Sequence, residues 1–235
     1  MSWMESAHRS TTWAFLGRVP YRDAEALQHR LRESLLRGEA GESLLLLEHP
    51  HVYTLGRNAG PQDLLAGREW LTARGIEVAQ CDRGGQVTYH GPGQLVGYPI
   101  LDLSPDRRDI RRYVRDLMRS LVGVLAACGV PARPAASQEP IGVWTEEGKI
   151  ASIGVHIRRW VTTHGFALNV STDLSYFAGI VPCGLPSARM VSIESLTGRS
   201  FDLAEVATLA AERFGEAFGR EMRPLADRST WCTAS

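Results

Sequence analysis

Residues 83–94 read Arg-Gly-Gly-Gln-Val-Thr-Tyr-His-Gly-Pro-Gly-Gln, and residues 96–103 continue as Val-Gly-Tyr-Pro-Ile-Leu-Asp-Leu. Four of the first twelve residues are glycine, which lets a backbone approach a ligand closely and present its N–H groups. We therefore predict a glycine-rich loop around a short β segment, followed by a strand over 96–103. The GxxxxGK(S/T) spacing of a phosphate-binding loop occurs nowhere in the chain. By itself the segment is equally compatible with ordinary turns.

Helical and extended patterns are mixed on both sides of this loop. Apolar residues at helical spacing, with start and stop signals, predict helices over 23–37, 69–74, 108–128 and from Asp202 to about 218. Short apolar runs bounded by turn residues predict strands over 43–48, 76–81, 141–144, 150–157 and 166–170. Because strands and helices do not alternate strictly, we expect a mixed α/β (α+β) fold with substantial antiparallel sheet. No repeat or long linker interrupts the chain, so we expect a single domain over 1–235.

The bulk composition is that of an ordinary globular protein. Of 235 residues, 44% are hydrophobic and 22% are charged, and the net charge is zero. A neutral chain is not built for electrostatic binding to nucleic acid or to a membrane surface. The chain has no apolar run of about 18 residues and no secretory signal pattern. Its four cysteines lack CxxC spacing, so we expect a soluble protein of the reducing cytoplasm.

Lysine is used at a single position. The chain has 26 basic residues, and all of them except Lys149 are arginine. Arginine keeps its proton at working pH, whereas a partly buried lysine can act as a base. An arginine bias also arises from coding composition, so a lone lysine can survive by chance. Lys149 is therefore a candidate catalytic residue that needs independent support.

Cys183 is the candidate nucleophile among the cysteines. It lies in Val181-Pro182-Cys183-Gly184-Leu185-Pro186, where proline and glycine predict a tight, irregular loop. A thiolate is the side-chain nucleophile best suited to attack a thioester, but a free thiol has a pKa near 8.5 and is only a few per cent ionised at neutral pH. A neighbouring amine or ammonium would raise that fraction. The alternative role is that of a small buried hydrophobic residue. Cys81, Cys128 and Cys232 fit that structural role better.

Metal binding is not expected from the sequence. His49 and His51 lie two residues apart, and no Cys or His cluster at ligand spacing accompanies them. We therefore predict neither a metal nor a cofactor.

The predicted helix over 108–128 carries a row of arginines at steps of three and four. These are Arg108, Arg111, Arg112, Arg115 and Arg119. The plainer interpretation is a solvated face, partly paired with Asp109 and Asp116. The alternative is a docking surface for an acidic partner.

Three separated segments together resemble one protein family. The first is 83–94, the second joins Gly148-Lys149-Ile150-Ala151-Ser152-Ile153-Gly154 with His164-Gly165-Phe166-Ala167-Leu168-Asn169, and the third is Pro182-Cys183-Gly184-Leu185. In this order and spacing they are similar to the bacterial octanoyltransferases of lipoate biosynthesis (lipoyl/octanoyl-acyl carrier protein:protein N-octanoyltransferases). The resemblance runs from roughly Glu48 to Leu196. We take 23–219 as the core and 1–22 and 220–235 as peripheral.

This resemblance implies a fold, a reaction and a site. The fold would be that of biotin and lipoate protein ligases, with a mostly antiparallel sheet flanked by helices. The reaction would move an octanoyl group from octanoyl-acyl carrier protein to a lysine of a lipoyl domain, in 2-oxoacid dehydrogenase E2 subunits or the glycine cleavage H protein. Cys183 would be the acyl-thioester nucleophile, and Lys149 would lower the pKa of its thiol and shuttle protons. The acyl pocket would be lined by Arg83, Gly84, Gly85, Gln86, Val87, Thr88, Tyr89, His90, Ser152, Ile153, Gly154, Gly165, Phe166 and Ala167.

Two other functions remain open at this point. An ATP-dependent lipoate or biotin ligase on the same fold would keep a lysine but would have no need for Cys183. A non-catalytic module that binds lipoyl domains or acyl chains would need neither Cys183 nor Lys149.

Overall fold

The computed structural model describes residues 9–181, 189–227 and 229–232. Cys183 therefore lies outside the described residues. The described part holds an eight-stranded sheet in the order β11-β1-β2-β6-β10-β9-β8-β7. Its strands are β1 (Arg9–Arg18), β2 (Glu42–Glu48), β6 (Gln94–Ile100), β7 (Arg133–Pro134), β8 (Gly142–Trp144), β9 (Lys149–Arg158), β10 (Val161–Asn169) and β11 (Arg220–Pro224).

Most strands of this sheet are antiparallel. Only β1 runs parallel to its neighbours β2 and β11, while the pairs from β2 to β7 are all antiparallel. A smaller sheet has the order β4-β3-β5, with β3 (Val52–Leu55), β4 (Glu77–Gln80) and β5 (Val87–His90). The expected mixed α/β class with a mostly antiparallel sheet is confirmed.

Helices cover both faces of the large sheet. They are α1 (Tyr21–Leu36), α2 (Arg68–Ala73), α3 (Ile110–Ala127), α4 (Ile193–Thr197), α5 (Leu203–Phe218) and α6 (Ser229–Cys232), with 3₁₀ turns at Pro61–Asp63 and Leu174–Gly179. Side chains alternate between the faces of a strand. Leu44 and Leu46 of β2 accordingly enter the core beneath α3 and α5. Leu45 and Leu47 enter the second core beneath α1. Burial on both faces explains the unbroken leucine run.

Parts of both segments that we expected to be peripheral lie in the sheet, as β1 (Arg9–Arg18) and β11 (Arg220–Pro224). β1 pairs with β2, and β11 pairs with β1 from Arg9↔Arg220 to Trp13↔Pro224. A buried ion pair holds this edge together, because Arg220 Nε lies 2.8 Å from the Glu42 carboxylate. Neither strand shows a clear alternating apolar pattern, which is why the sequence analysis missed them.

No helix in the described part of the chain is long and apolar enough to cross a membrane.

Candidate functional site

A cavity of about 280 Å³ lies beside β9, β10 and the glycine-rich segment. It is enclosed mainly by apolar and backbone groups, as is typical of a small-molecule site. Ile141 at its rim is 55% exposed, whereas Tyr21, Tyr98, His90 and His164 are buried. The cavity therefore has an exposed apolar rim and a buried interior.

The edge of β9 forms one wall of this cavity. Strand β8 pairs with β9 only as far as Ser152. Beyond that point the glycine-rich loop takes over, since the Gly84 N–H donates to the Val155 carbonyl at 2.9 Å. A Cβ on Gly154 would stand 3.0 Å from Gly84 O and 3.1 Å from Arg83 Cδ, so glycine permits this close approach.

Arg83 is fixed by backbone and hydroxyl acceptors of β3. Its Nη2 donates to Thr54 O at 2.6 Å and to Thr54 Oγ1 at 2.9 Å, and its Nη1 donates to Gly84 O at 3.0 Å. The guanidinium is buried in this position. Arg83 therefore holds the glycine-rich loop against β3 while its stem lines the cavity.

A buried chain of side-chain hydrogen bonds connects the cavity to the segment after Cys183. His90 Nδ1 donates to Gln94 Oε1 at 2.7 Å, and Gln94 Nε2 donates to Asn169 Oδ1 at 2.9 Å. Asn169 Nδ2 then donates to Val191 O at 3.0 Å. Burial lowers the pKa of His90 well below its ordinary value, which keeps the imidazole neutral with its proton on Nδ1. The first two of the separated sequence segments are thus tied to each other and to Val191.

Lys149 begins β9 and is only 1% exposed. Its N–H donates to Arg189 O at 2.8 Å, and its carbonyl accepts from the Val191 N–H at 3.0 Å. The Nζ atom lies 5.8 Å from the centre of the Trp144 ring. A Cβ on Gly142 would stand 2.6 Å from Lys149 Cε, so the lysine stem runs closely over this glycine. Arg189 and Val191 follow the Cys183 segment in the chain, and both are hydrogen-bonded to the backbone of Lys149.

His164 is held in a strained conformation at the cavity wall. Its φ of 55° is in the left-handed region that non-glycine residues seldom adopt. Two bonds hold it there, because its N–H donates to Gln28 Oε1 at 2.7 Å and its Nε2 lies 2.7 Å from Asp82 Oδ1. The hydrogen bond to His164 lowers the pKa of Asp82, and burial lowers the pKa of His164. A neutral imidazole donating to an aspartate thus fastens the start of the glycine-rich loop to β10.

Residues 20–215 match the family model of the lipoyl protein ligase A/B catalytic domain. The chain belongs to this family. An octanoyltransferase of Myxococcus xanthus is 51% identical over 212 residues, which cover 88% of this chain and 59% of that relative. An octanoyltransferase of Solibacter usitatus is 50% identical over 209 residues, which cover 89% of this chain and 93% of that relative. The chain thus spans a little over half the length of the first relative and nearly all of the second.

The fold is also shared with a bi-partite lipoate protein ligase of Thermoplasma acidophilum. The TM-score is 0.73 at 19% identity, over 95% of this chain and 90% of that one. At 19% identity, this similarity shows a shared fold and nothing more.

Thirteen of the fourteen residues that we expected to line an acyl pocket border the cavity described above. The exception is Tyr89, which does not border this cavity. Thr88 and His90 face the cavity, so Tyr89 points to the other face of β5. There its ring stacks on Tyr176 at 5.1 Å, and its hydroxyl lies 2.8 Å from His51 Nδ1.

Seven cavity residues were missed by the sequence analysis. Val155 and His164 adjoin predicted residues on β9 and β10, so strand continuity could have found them. The others lie outside the quoted motifs, and packing brings them to the cavity: Tyr21, Tyr98, Val114, Pro140 and Ile141.

Among the residues that the structure describes, no group of three or more His, Cys, Asp or Glu is placed to hold a metal ion.

Proposed function

We propose that this chain transfers an octanoyl group from octanoyl-acyl carrier protein to a lysine of a lipoyl domain through a thioester on Cys183. This reaction is the first step of endogenous protein lipoylation. Octanoyl transfer is supported by the names of relatives that are 45–51% identical. The observation that carries the proposal is the apolar cavity, closed by residues of separate family motifs and connected through hydrogen bonds to the backbone of Lys149.

The proposed chemistry proceeds in two balanced steps. The Cys183 thiolate attacks the donor carbonyl, a new C–S bond forms, and the thiol of the carrier leaves with a proton. The amine of the acceptor lysine then attacks the Cys183 thioester, an amide forms, and the Cys183 thiol is released. Thioester exchange is nearly balanced and the amide is more stable, so no nucleotide is required.

Lys149 is the proposed proton carrier for both steps. Its ammonium would stabilise the Cys183 thiolate, and its amine would accept the proton that the attacking lysine loses. The hydrogen bonds of its backbone to Arg189 and Val191 support this role. They attach Arg189 and Val191 to Lys149, and Cys183 is six residues before Arg189 in the chain.

The acceptors would be lipoyl domains, as in 2-oxoacid dehydrogenase E2 subunits and the glycine cleavage H protein. The family name supports this class of acceptor, as does the archaeal ligase, which is described with its E2 lipoyl domain. The buried cavity supports an apolar acyl chain as the transferred group.

Intact mass spectrometry after incubation with octanoyl-carrier protein tests the proposal. We expect one octanoyl adduct on the wild type, released by neutral hydroxylamine, and no adduct on Cys183→Ala. The half-buried Cys81 offers a matched control, and Cys81→Ser should be acylated like the wild type. An adduct of equal yield on Cys183→Ala would refute the assignment of the nucleophile.

The role of Lys149 is tested in the same assay by Lys149→Arg. Arginine keeps the positive charge but cannot release a proton at working pH. We expect the thioester still to form, while amide formation falls by about a hundredfold or more. Melting temperatures identify loss of fold, and unchanged amide formation in a folded variant would contradict the proton-carrier role.

The two rival functions predict different outcomes. A ligase would modify lipoyl domains when given ATP and free octanoate, without carrier protein, and would tolerate Cys183→Ala. A binding module would form no amide under either condition.

A further inference from the structure

Gly97 stands in the middle of β6, where glycine weakens a strand and usually indicates the close approach of another group. Its φ is not among the positive values of the described residues. The backbone therefore does not require glycine at this position. The reason for Gly97 must lie in the space beside it.

The group that fills this space is the ring of Phe166. Phe166 of β10 is in direct register with Gly97 of β6. A Cβ on Gly97 would overlap the ring atoms Cζ and Cε1 and stand 2.8 Å from Cε2. The ring therefore lies flat across the position that any other residue at 97 would occupy.

Phe166 is also a wall of the cavity. Its ring is buried and belongs to the apolar core beneath α3 and α5. A closely packed core leaves little room for a displaced ring. The empty space that adjoins it is the cavity, so a side chain at 97 would push the ring into the acyl site.

We propose that Gly97 sets the length of acyl chain that the cavity accepts, by allowing the Phe166 ring to lie flat against β6. The inference rests on the proposed function, because the chain that fills the cavity is taken to be the acyl group. Gly97 is a positioning residue, since it does not border the cavity and acts through Phe166. No motif in the sequence analysis singled it out.

The primary test is Gly97→Ala, measured with hexanoyl-, octanoyl- and decanoyl-carrier protein. Pocket contacts worth one methylene change rates by roughly tenfold or more. We therefore expect the octanoyl-to-hexanoyl ratio of kcat/KM to fall about tenfold, with thioester formation from the hexanoyl donor retained. Gly41→Ala is the matched control, because a Cβ there meets nothing within 4 Å and its φ is not positive. Its ratio should equal that of the wild type.

Two further variants keep the test decisive if Gly97→Ala folds poorly. Phe166→Leu alone should shift the preference toward decanoyl, and Gly97→Ala with Phe166→Leu should restore octanoyl. Restoration by a second substitution is not expected if Gly97 only supports the strand. An unchanged length preference in a folded Gly97→Ala or in Phe166→Leu would overturn the inference.

A binding measurement, which requires no acyl transfer, separates this inference from the proposed function. Free fatty acids of six to twelve carbons can be titrated against each variant and followed by thermal shift. If no variant forms a thioester but the preferred length still changes, the reaction assignment fails and the Gly97 inference stands. If thioesters form and the preferred acyl-chain length is unchanged in the variants, the reaction assignment stands and the Gly97 inference fails.

Discussion

His49 shows how burial fixes the state of one side chain near the cavity. It has no exposed surface, and both ring nitrogens are used. Nδ1 donates to Val19 O at 2.7 Å, so Nε2 accepts from the Tyr98 hydroxyl at 2.8 Å. The rings of Tyr21 and His90 pack edge-on to it at 5.5 and 5.7 Å. This network holds the cavity residue Tyr98 in place.

Acid should therefore destabilise the fold through His49. Burial lowers its pKa from 6.5 to about 4. Between these pH values the unfolded state binds more protons, so the stability is complete above pH 6.5 and falls as the pH drops toward 4. The contribution of His49 to this loss is roughly 3 kcal/mol. We expect His49→Gln to flatten the pH dependence of urea unfolding in this window.

His49→Gln should remove only part of the pH dependence of the unfolding free energy. His90 and His164 also have lowered pKa values, so they add to the loss in the same direction. An unfolding free energy of His49→Gln that falls as steeply as that of the wild type would contradict the assignment.

For single residues, the family motifs in the sequence indicated most of those that border the cavity, but they could not indicate which way each side chain points. Tyr89 belongs to the motif as fully as Thr88 does, yet strand alternation turns its ring away. Tyr98 was read only as part of a strand, because its place in the cavity depends on contacts with His49 and His164, which are distant in sequence.

Helix α3 presents positive charge beside the cavity. Val114 lines the cavity, and Arg111 and Arg115 of the same helix are exposed. The acidic residues of the helix are already engaged: Asp109 caps its N-terminus, and Asp116 lies 2.8 Å from Arg107 Nε. Within the part of the chain that the structure describes, Arg111 and Arg115 make no salt bridge, so their charges are available to a partner that approaches the cavity.

We expect the acidic carrier protein to be that partner. Arg111→Glu with Arg115→Glu should raise the KM for octanoyl-carrier protein by about tenfold at low salt, with kcat little changed and the effect fading at high salt. Arg223→Glu is the control, since Arg223 is exposed on β11 at the opposite edge of the sheet. A KM that stays constant at low salt would discard the docking surface.

Elements with strong periodicity were predicted well. Helix α3 occupies 110–127 within the expected 108–128, and α5 begins after Asp202, which accepts a hydrogen bond from the Ala204 N–H. Strand β10 begins five residues before the predicted 166–170. Its polar first half, Val161-Thr-Thr-His, carries no apolar signal, and burial by tertiary packing makes it a strand.

For the whole molecule, one ion cluster around the buried pair Arg220 and Glu42 joins β11 and β1 to β2. Arg220 of β11 contacts Glu42 at 2.8 Å and Asp106 at 2.7 Å, and Arg9 of β1 contacts Glu42 at 2.7 Å. The Arg220 side chain is 2% exposed. Removing one partner of a buried cluster leaves the others desolvated without compensation.

Arg220→Ala should lower the free energy of unfolding by about 3 kcal/mol. Arg9 still faces Glu42, which limits the loss. Thermal or urea unfolding measures it against Arg223→Ala, whose exposed partner Glu221 makes a change below about 1 kcal/mol the expectation. If the two variants unfold alike, the cluster does not hold the edge of the sheet.

The mixture of helical and extended sequence patterns predicted the fold class, but it did not predict the order of the strands in the large sheet. Parallel pairing of β1 with β11 depends on contacts across nearly the full chain. The same is true of the cavity, where Tyr21 of α1 and Val114 of α3 meet around β9 and β10.

The scarcity of lysine has a consequence for side reactions. The chain has one ε-amine in 235 residues, and that amine is enclosed at the start of β9. Arginine cannot serve as an amine acceptor at working pH. In the proposed reaction the protein would carry an activated acyl group while awaiting the lysine of its acceptor, and the one lysine among these 235 residues is buried. We therefore expect the acyl group not to be lost to lysines on the protein's own surface.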